Sequence, residues 1–172
     1  MNNKIVCFSA ADKQAKTNFK KTVTNFINFQ ELNNKFNLIE PHPNITHVSI
    51  WGARWDKLWK KLNKNDVVLF YANHKFISYG TLIFRIESSE VAKYLWGSNE
   101  YKYLVIMSPH ALIECPRDKF WKEFNYATKF YIQGLRIPDI KVQREILSKY
   151  GDIQSFLEDV LEIEKINLPY YN

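Results

Sequence analysis

The sequence predicts an α+β domain with a mostly β core and flanking helices. Three observations predict it. Strand-like apolar segments cluster in the middle of the chain. Segments with helical periodicity stand on either side of them. The 172 residues are 46% hydrophobic and 16% aromatic, enough for one domain with a real core and unlike a disordered chain.

The elements follow in order. Lys4–Ser9 (KIVCFS) reads as a short buried strand. Asp12–Asn28 reads as a helix with Ala15, Phe19, Val23 and Phe26 on one face and Lys13, Lys16, Lys20 and Lys21 away from it. Pro41-His42-Pro43-Asn44 breaks the polar segment that follows. Thr46–Trp51 is a strand, and Arg54–Leu62 a helix whose Trp55, Leu58, Trp59 and Leu62 form a core stripe. Val67–Ala72 and Phe76–Ile86 are strands joined through Asn73-His74-Lys75 as a hairpin. Glu90–Asn99, a loop or short helix, carries Trp96-Gly97, and Tyr101–Met107 is a further strand. Ser108–Tyr126 is mixed. Lys129–Ile137 reads as a strand ended by Pro138. Val142–Tyr150 and Asp152–Glu164 are helices, the second with an apolar stripe of Ile153, Phe156, Leu157, Val160 and Leu161.

The formal net charge of +6 favours a polyanionic partner. Cys7 and Cys115 sit in apolar runs and read as buried free thiols, which points to a reducing, cytoplasmic setting. The first residues, MNNKIVCFSA, lack the long apolar core of a signal peptide, so none is expected, and no apolar run is long enough to span a bilayer. The five glycines form no phosphate-cradling loop, which argues against an intrinsic nucleotide-driven motor and a nucleotide cofactor. His42, His47, His74 and His110 have no metal-ligand spacing, so no metal site and no catalytic set is expected. Asp139-Ile140-Lys141, with Asp118 upstream, matches a weak nuclease pattern, but Pro138 breaks the strand where that motif needs regular backbone.

The aromatic side chains carry more. Tyr71, Phe76 and Tyr79 read first as core. Trp51 and Trp96 each precede a glycine and lie at the edge of an element, where a ring face is open to a flat ligand. Two such rings facing each other would clamp a base, a contact worth about 1–3 kcal/mol. Lysines on the amphipathic helices would hold phosphates.

The order of KIVCFSAADKQ, SIWGAR, VVLFYANHKFISYGTLIFRIES, YLWGS, KYLVIM and GLRIPDIKVQREIL resembles the YTH and EVE branch of the PUA-like superfamily over about residues 4–150. The resemblance implies a small mixed β-barrel flanked by helices, with residues 1–150 as the base-recognition domain. Residues 151–172 would be a C-terminal helix and tail leading to a partner domain. It further implies a domain that extracts one nucleotide into an aromatic cage, as at the N-terminus of McrB-type modification-dependent restriction proteins. There a GTP-driven motor domain follows.

Carried onto this sequence, the resemblance gives Trp51 and Trp96 as cage walls and the carbonyl of Trp51 or Gly52 as acceptor from the base. Ser9 becomes a loop contact and Arg136 a phosphate contact. Beside these, Tyr71 and Tyr79 are candidate base contacts from the rings beside the hairpin, and Lys13, Lys57, Lys60 and Lys61 candidate phosphate contacts from the amphipathic helices. Where the YTH pattern has an asparagine, this chain has Ala10, with Gln14 or Asp12 as substitutes. The implied partner is methylated DNA, with RNA as the alternative, and N6-methyladenine is favoured over methylcytosine. Competing expectations are an RNA-binding accessory domain indifferent to modification, a small nuclease using Asp139 and Lys141, and a protein-interaction module using the stripe of the last helix.

Overall fold

The sheet turns on its longest strand. β5 (Lys75–Glu87) pairs antiparallel with β4 (Val67–Ala72) and with β7 (Ala111–Pro116) along its first half, and with β6 (Tyr103–Met107) along its second. Register shifts between Phe76 and Ser78, and between Leu82 and Phe84, bend the strand as bulges do. The β4–β5 turn is tight, because Asn73 and His74 both adopt positive φ (51° and 64°) as a two-residue hairpin connection requires. The computed structural model describes residues 3–38, 44–127 and 130–161.

The sheet order is β2 (Ile27–Asn28), β3 (His47–Ala53), β6, β5, β4, β1 (Ile5–Ser9), β8 (Leu135–Arg136). β1 runs parallel to β4 and the other pairings are antiparallel. β1 and β3 are far apart in this order, yet the ring centroids of Phe8 and Trp51 lie 6.5 Å apart and both rings touch Phe70. The sheet therefore curls until its two ends converge. Val6, Phe8, Trp51, Val68, Phe70, Leu82, Val105 and Met107 fill the interior.

α1 (Lys13–Phe19) is capped by Asp12, whose carboxylate accepts from Ala15 N at 2.7 Å. It continues as a π-helical turn over Lys20–Thr24 and drives Phe19 and Val23 into the interior. The sequence predicts this helix to Asn28, but Ile27 and Asn28 pair with β3 instead, and Phe26 is exposed. Long-range pairing here overrides local periodicity.

α2 (Phe29–Phe36) and α4 (Ser89–Trp96) cover the outer face of β3 and β6. Gly97, at φ 74°, takes the left-handed conformation that closes α4. α5 (Arg117–Glu123), α6 (Ile140–Tyr150) and α7 (Ile153–Leu161) cover the outer face of β1, β4, β5 and β7, burying Phe120, Trp121, Phe124 and Phe156. The stripe of α7 is thus spent within its own core, with Ile153, Phe156, Leu157 and Val160 all buried. That removes the surface on which an interaction module was expected.

Two buried polar ties close the start of the sheet. Asp66 is fully buried and accepts from Lys4 N at 3.0 Å and Lys4 Nζ at 2.6 Å. Gln143 of α6 accepts from Ile5 N at 2.7 Å and donates to Ile5 O at 3.1 Å.

α3 (Asp56–Trp59) is much shorter than predicted. Trp55 is its N-cap rather than part of a stripe, and is 80% exposed, so its expected core role is wrong. Trp59 keeps a scaffold role, donating from Nε1 to Leu104 O at 2.9 Å. The predicted Lys129–Ile137 strand reduces to β8. Pro41, His42 and Pro43, Lys129, and the end of the predicted last helix at Glu164 lie outside the described residues. Among the described residues, no helix is long and apolar enough to cross a membrane.

Candidate functional site

A cavity of about 880 Å³ opens where β1 and β3 end and the segment before β8 crosses them. Phe8, Ser9, Trp51 and Gly52 come from the strand ends, Asn18 from α1, and Trp96 from α4. Arg54, Trp55, Lys57, Tyr101 and the 131–135 segment form the rim. The volume sits in the upper part of the range for small-ligand sites.

Both predicted tryptophans line the cavity. Trp51 lies within β3, opposite Val105, rather than at the very edge of the strand. Its ring packs edge-on against Phe70 at 5.0 Å. Trp96, the last residue of α4, packs edge-on against Tyr101 at 6.0 Å and donates from Nε1 to Thr22 Oγ1 at 3.3 Å. Thr22 in turn donates to Ile50 O at 2.7 Å. The π-helical turn thereby ties the Trp96 ring to β3. The two rings are anchored in separate core clusters, Trp51 inside the curled sheet and Trp96 on its outer face.

Gly52 makes this arrangement possible. A Cβ there would stand 2.6 Å from Tyr101 Cβ and 2.7 Å from Trp96 Cζ3, and closer still to the Tyr101 carbonyl oxygen. Only a residue without a side chain lets Trp96 lie flush against β3.

The other predicted contacts divide. Ser9 and Tyr71 line the cavity; Ser9 N donates to Gly134 O at 2.9 Å, and the Tyr71 hydroxyl accepts from Arg117 Nη1 at 3.2 Å. Lys57 lies on the rim. Ala10 is fully buried behind the wall, its N–H donating to Tyr71 O at 2.8 Å. Gln14 stands outside the cavity and donates to Asn18 Oδ1 at 2.8 Å.

Tyr79 lies away from the cavity, packed against the cluster under α5–α7, where burial and the charge of Glu158 raise its pKa. Strand alternation puts Leu135 toward the cavity and Arg136 on the opposite face, over the Phe130 ring at 4.8 Å. Lys60 is ion-paired with Asp56, and Lys13 and Lys61 are exposed outside the cavity lining.

Sequence reasoning missed Asn18, Arg54, Trp55, Tyr101 and Tyr131. Asn18 is 4% exposed, lines the cavity, and uses its Oδ1 on Gln14. Its amide Nδ2 has no partner among the described residues. The signal was present: an asparagine is a poor mid-helix residue, and it stands four positions after Gln14.

The nuclease pattern dissolves into local structure. Asp139 is the N-cap of α6, accepting from Lys141 N at 2.7 Å and Val142 N at 3.2 Å. Asp118 pairs with Arg117. Among the described residues, no group of three or more His, Cys, Asp or Glu could hold a metal ion. Burial pushes the Cys7 thiol up and leaves it inert. His110 is buried beside Ser78 Oγ (3.1 Å from Nδ1), with Nε2 unpartnered, and burial pushes its pKa down to about 3.

No family model matches the chain, and no curated protein matches it. Among solved structures it is similar to the N-terminal domain of Thermococcus gammatolerans McrB bound to m5C DNA. That match has a TM-score of 0.68 at 15% identity and covers 88% of this chain and 99% of that one. Weaker likenesses join it to an ASCH protein of Zymomonas mobilis (TM-score 0.45, 12% identity, 86% of this chain and 97% of that one). Another is to the YTH domain of a Zygosaccharomyces rouxii protein in complex with N6-methyladenosine RNA (0.43, 12%, 90% and 91%). The match to the McrB domain, over most of both chains, shows that this chain shares that domain's fold, a mixed sheet with flanking helices.

Proposed function

We propose that the chain is a non-catalytic DNA-binding domain that takes one methylated base out of its strand and holds it in the cavity. The observation that carries this reading is the cavity itself, walled by Trp51 and Trp96, on the fold of a domain seen bound to m5C DNA. Both walls are fixed before any ligand arrives: Trp51 by Phe8 and Phe70, Trp96 by Tyr101 and Thr22. Fixed rings lose little entropy on binding. Extraction of a base costs a few kcal/mol, which stacking offsets.

Asn18 supplies what Ala10 lacks. Its Nδ2 donates to an acceptor on the base edge, and Gln14 holds the amide in that orientation. Lys57 on the rim would take a flanking phosphate, and Arg54, which pairs with Glu100 at 3.2 Å and donates to the Tyr101 hydroxyl at 2.9 Å, would take another by exchanging the carboxylate for it. Ahead of a GTP-driven motor, such a domain would deliver the motor to methylated DNA.

The test is a titration by fluorescence anisotropy with oligonucleotides carrying 5-methylcytosine, N6-methyladenine or no modification, as DNA and as RNA. The expected result is tighter binding to one methylated DNA, lost in Trp51→Ala and Trp96→Ala proteins that remain folded by circular dichroism. Equal affinity for all oligonucleotides, unchanged in both variants, would overturn the reading. The pair of methylated bases separates the 5-methylcytosine of the McrB likeness from the N6-methyladenine of the sequence resemblance.

A further inference from the structure

We infer that Trp55 is a wedge that enters the duplex as the base leaves it, filling the gap in the stack. The inference rests on the base-reading function proposed above and adds a residue that drives extrusion to those that hold the extruded base.

Trp55 is 80% exposed, whereas Trp51, Trp96 and Trp121 are each under 9%. A lone exposed apolar side chain is ordinary on a protein surface; Trp55 differs in standing on the rim of the cavity next to Arg54 and Lys57. Its ring has no aromatic or cation partner among the described residues. Tyr131, the exposed ring on another part of the rim, is already engaged by the Arg117 guanidinium at 4.9 Å and by His74 at 5.7 Å.

The backbone that presents Trp55 is anchored on both sides. β3 ends at Ala53, paired with Tyr103. On the other side, α3 is held down by Trp59, whose Nε1 reaches Leu104 O and whose carbonyl accepts from Arg85. The ring therefore projects from a fixed stem at the cavity mouth. Arg54 and Lys57 flank it on the same rim. Cations beside an exposed flat ring match a base stack bordered by phosphates. A ring at the mouth of the pocket that receives the base would stand next to the vacancy the base leaves in the duplex.

A single strand has no stack to restore, so substrate form separates a wedge from a shelf for flanking bases. Wild-type, Trp55→Ala and Trp55→Phe proteins are titrated against the same methylated base in duplex and in single-stranded DNA. Loss of about tenfold in duplex affinity is expected for Trp55→Ala, with less than about threefold on the single strand and substantial recovery in Trp55→Phe. A 2-aminopurine beside the target base should brighten on wild-type binding to duplex and brighten less with Trp55→Ala. Equal losses on both substrates, or an unchanged duplex affinity, would overturn the wedge while leaving the base-reading function intact. Absence of methyl preference by the wild-type protein on the single strand would overturn the base-reading function and the wedge with it.

Discussion

Trp121 and Trp55 are the same residue put to opposite uses. Trp121 lies fully buried under α5–α7, its ring touched by Phe76, Phe120, Phe124, Tyr126 and Phe130. Trp55 stands at the cavity mouth without a ring partner among the described residues. Between these extremes, Trp51 and Trp96 are buried yet still line the cavity. A high aromatic content therefore has two separate causes in this chain. One half of the molecule satisfies its rings internally, and the other leaves surfaces for something else to satisfy.

The largest expected effect tests the closed half. Trp121→Ala should destabilise the protein by about 3–5 kcal/mol, measured by urea unfolding, because it opens a cavity among rings that cannot collapse onto it. A small loss would break the comparison. Next comes acid. His110 has a folded pKa of about 3 against an ordinary 6.5, so between these values the unfolded chain binds a proton that the folded chain refuses. Its contribution to stability is complete above pH 6.5 and is lost as pH falls below it, by about 1.4 kcal/mol per unit at full slope. Urea midpoints at pH 7.5, 5.5 and 4.5 should fall for wild type more steeply than for His110→Gln.

The open half should respond in binding more than in stability. Asn18→Ala should weaken binding to methylated DNA by roughly tenfold, the cost of losing one buried hydrogen bond to the base. Thr22→Val, which removes the partner of Trp96 Nε1, should cost about 1 kcal/mol of stability and loosen binding severalfold. Trp55→Ala should change stability by no more than about 0.5 kcal/mol in the same urea assay, as expected for an exposed side chain. A larger change would mean that the ring is buried in solution.

The β core was legible in the sequence because alternation and turn residues are local signals. β4 matches its expected range, and β5 and the Asn73-His74 turn come within a residue or two of theirs. What escaped depends on distant contacts. The helix predicted to Asn28 stops early because β3 recruits Ile27 and Asn28. The stripe expected to include Trp55 fails because α3 starts only at Asp56, an acidic residue suited to a first turn. At the cavity, the order of short motifs led to the lining residues Trp51, Trp96 and Ser9, and helix periodicity to Lys57. Asn18 and Tyr131 escaped because only the fold brings a helix and a late loop to the ends of β1 and β3. Arg136 and Tyr79 show the same limit in reverse: both lie on strands close in sequence to lining residues, but face away from the cavity.

Gly52 gives the cavity its gauge. With no atoms between the β3 backbone and the Trp96 ring, the spacing of that wall is a direct contact of main chain and indole, with no side chain left to trim or enlarge. In the proposed base site the position of the Trp96 wall is therefore set from a distance, by how α4 docks on the outer face of the sheet. Substitutions at Val91 or Ala92, both fully buried on the inner face of that helix and absent from the cavity lining, should therefore shift that wall and change what the proposed site accepts.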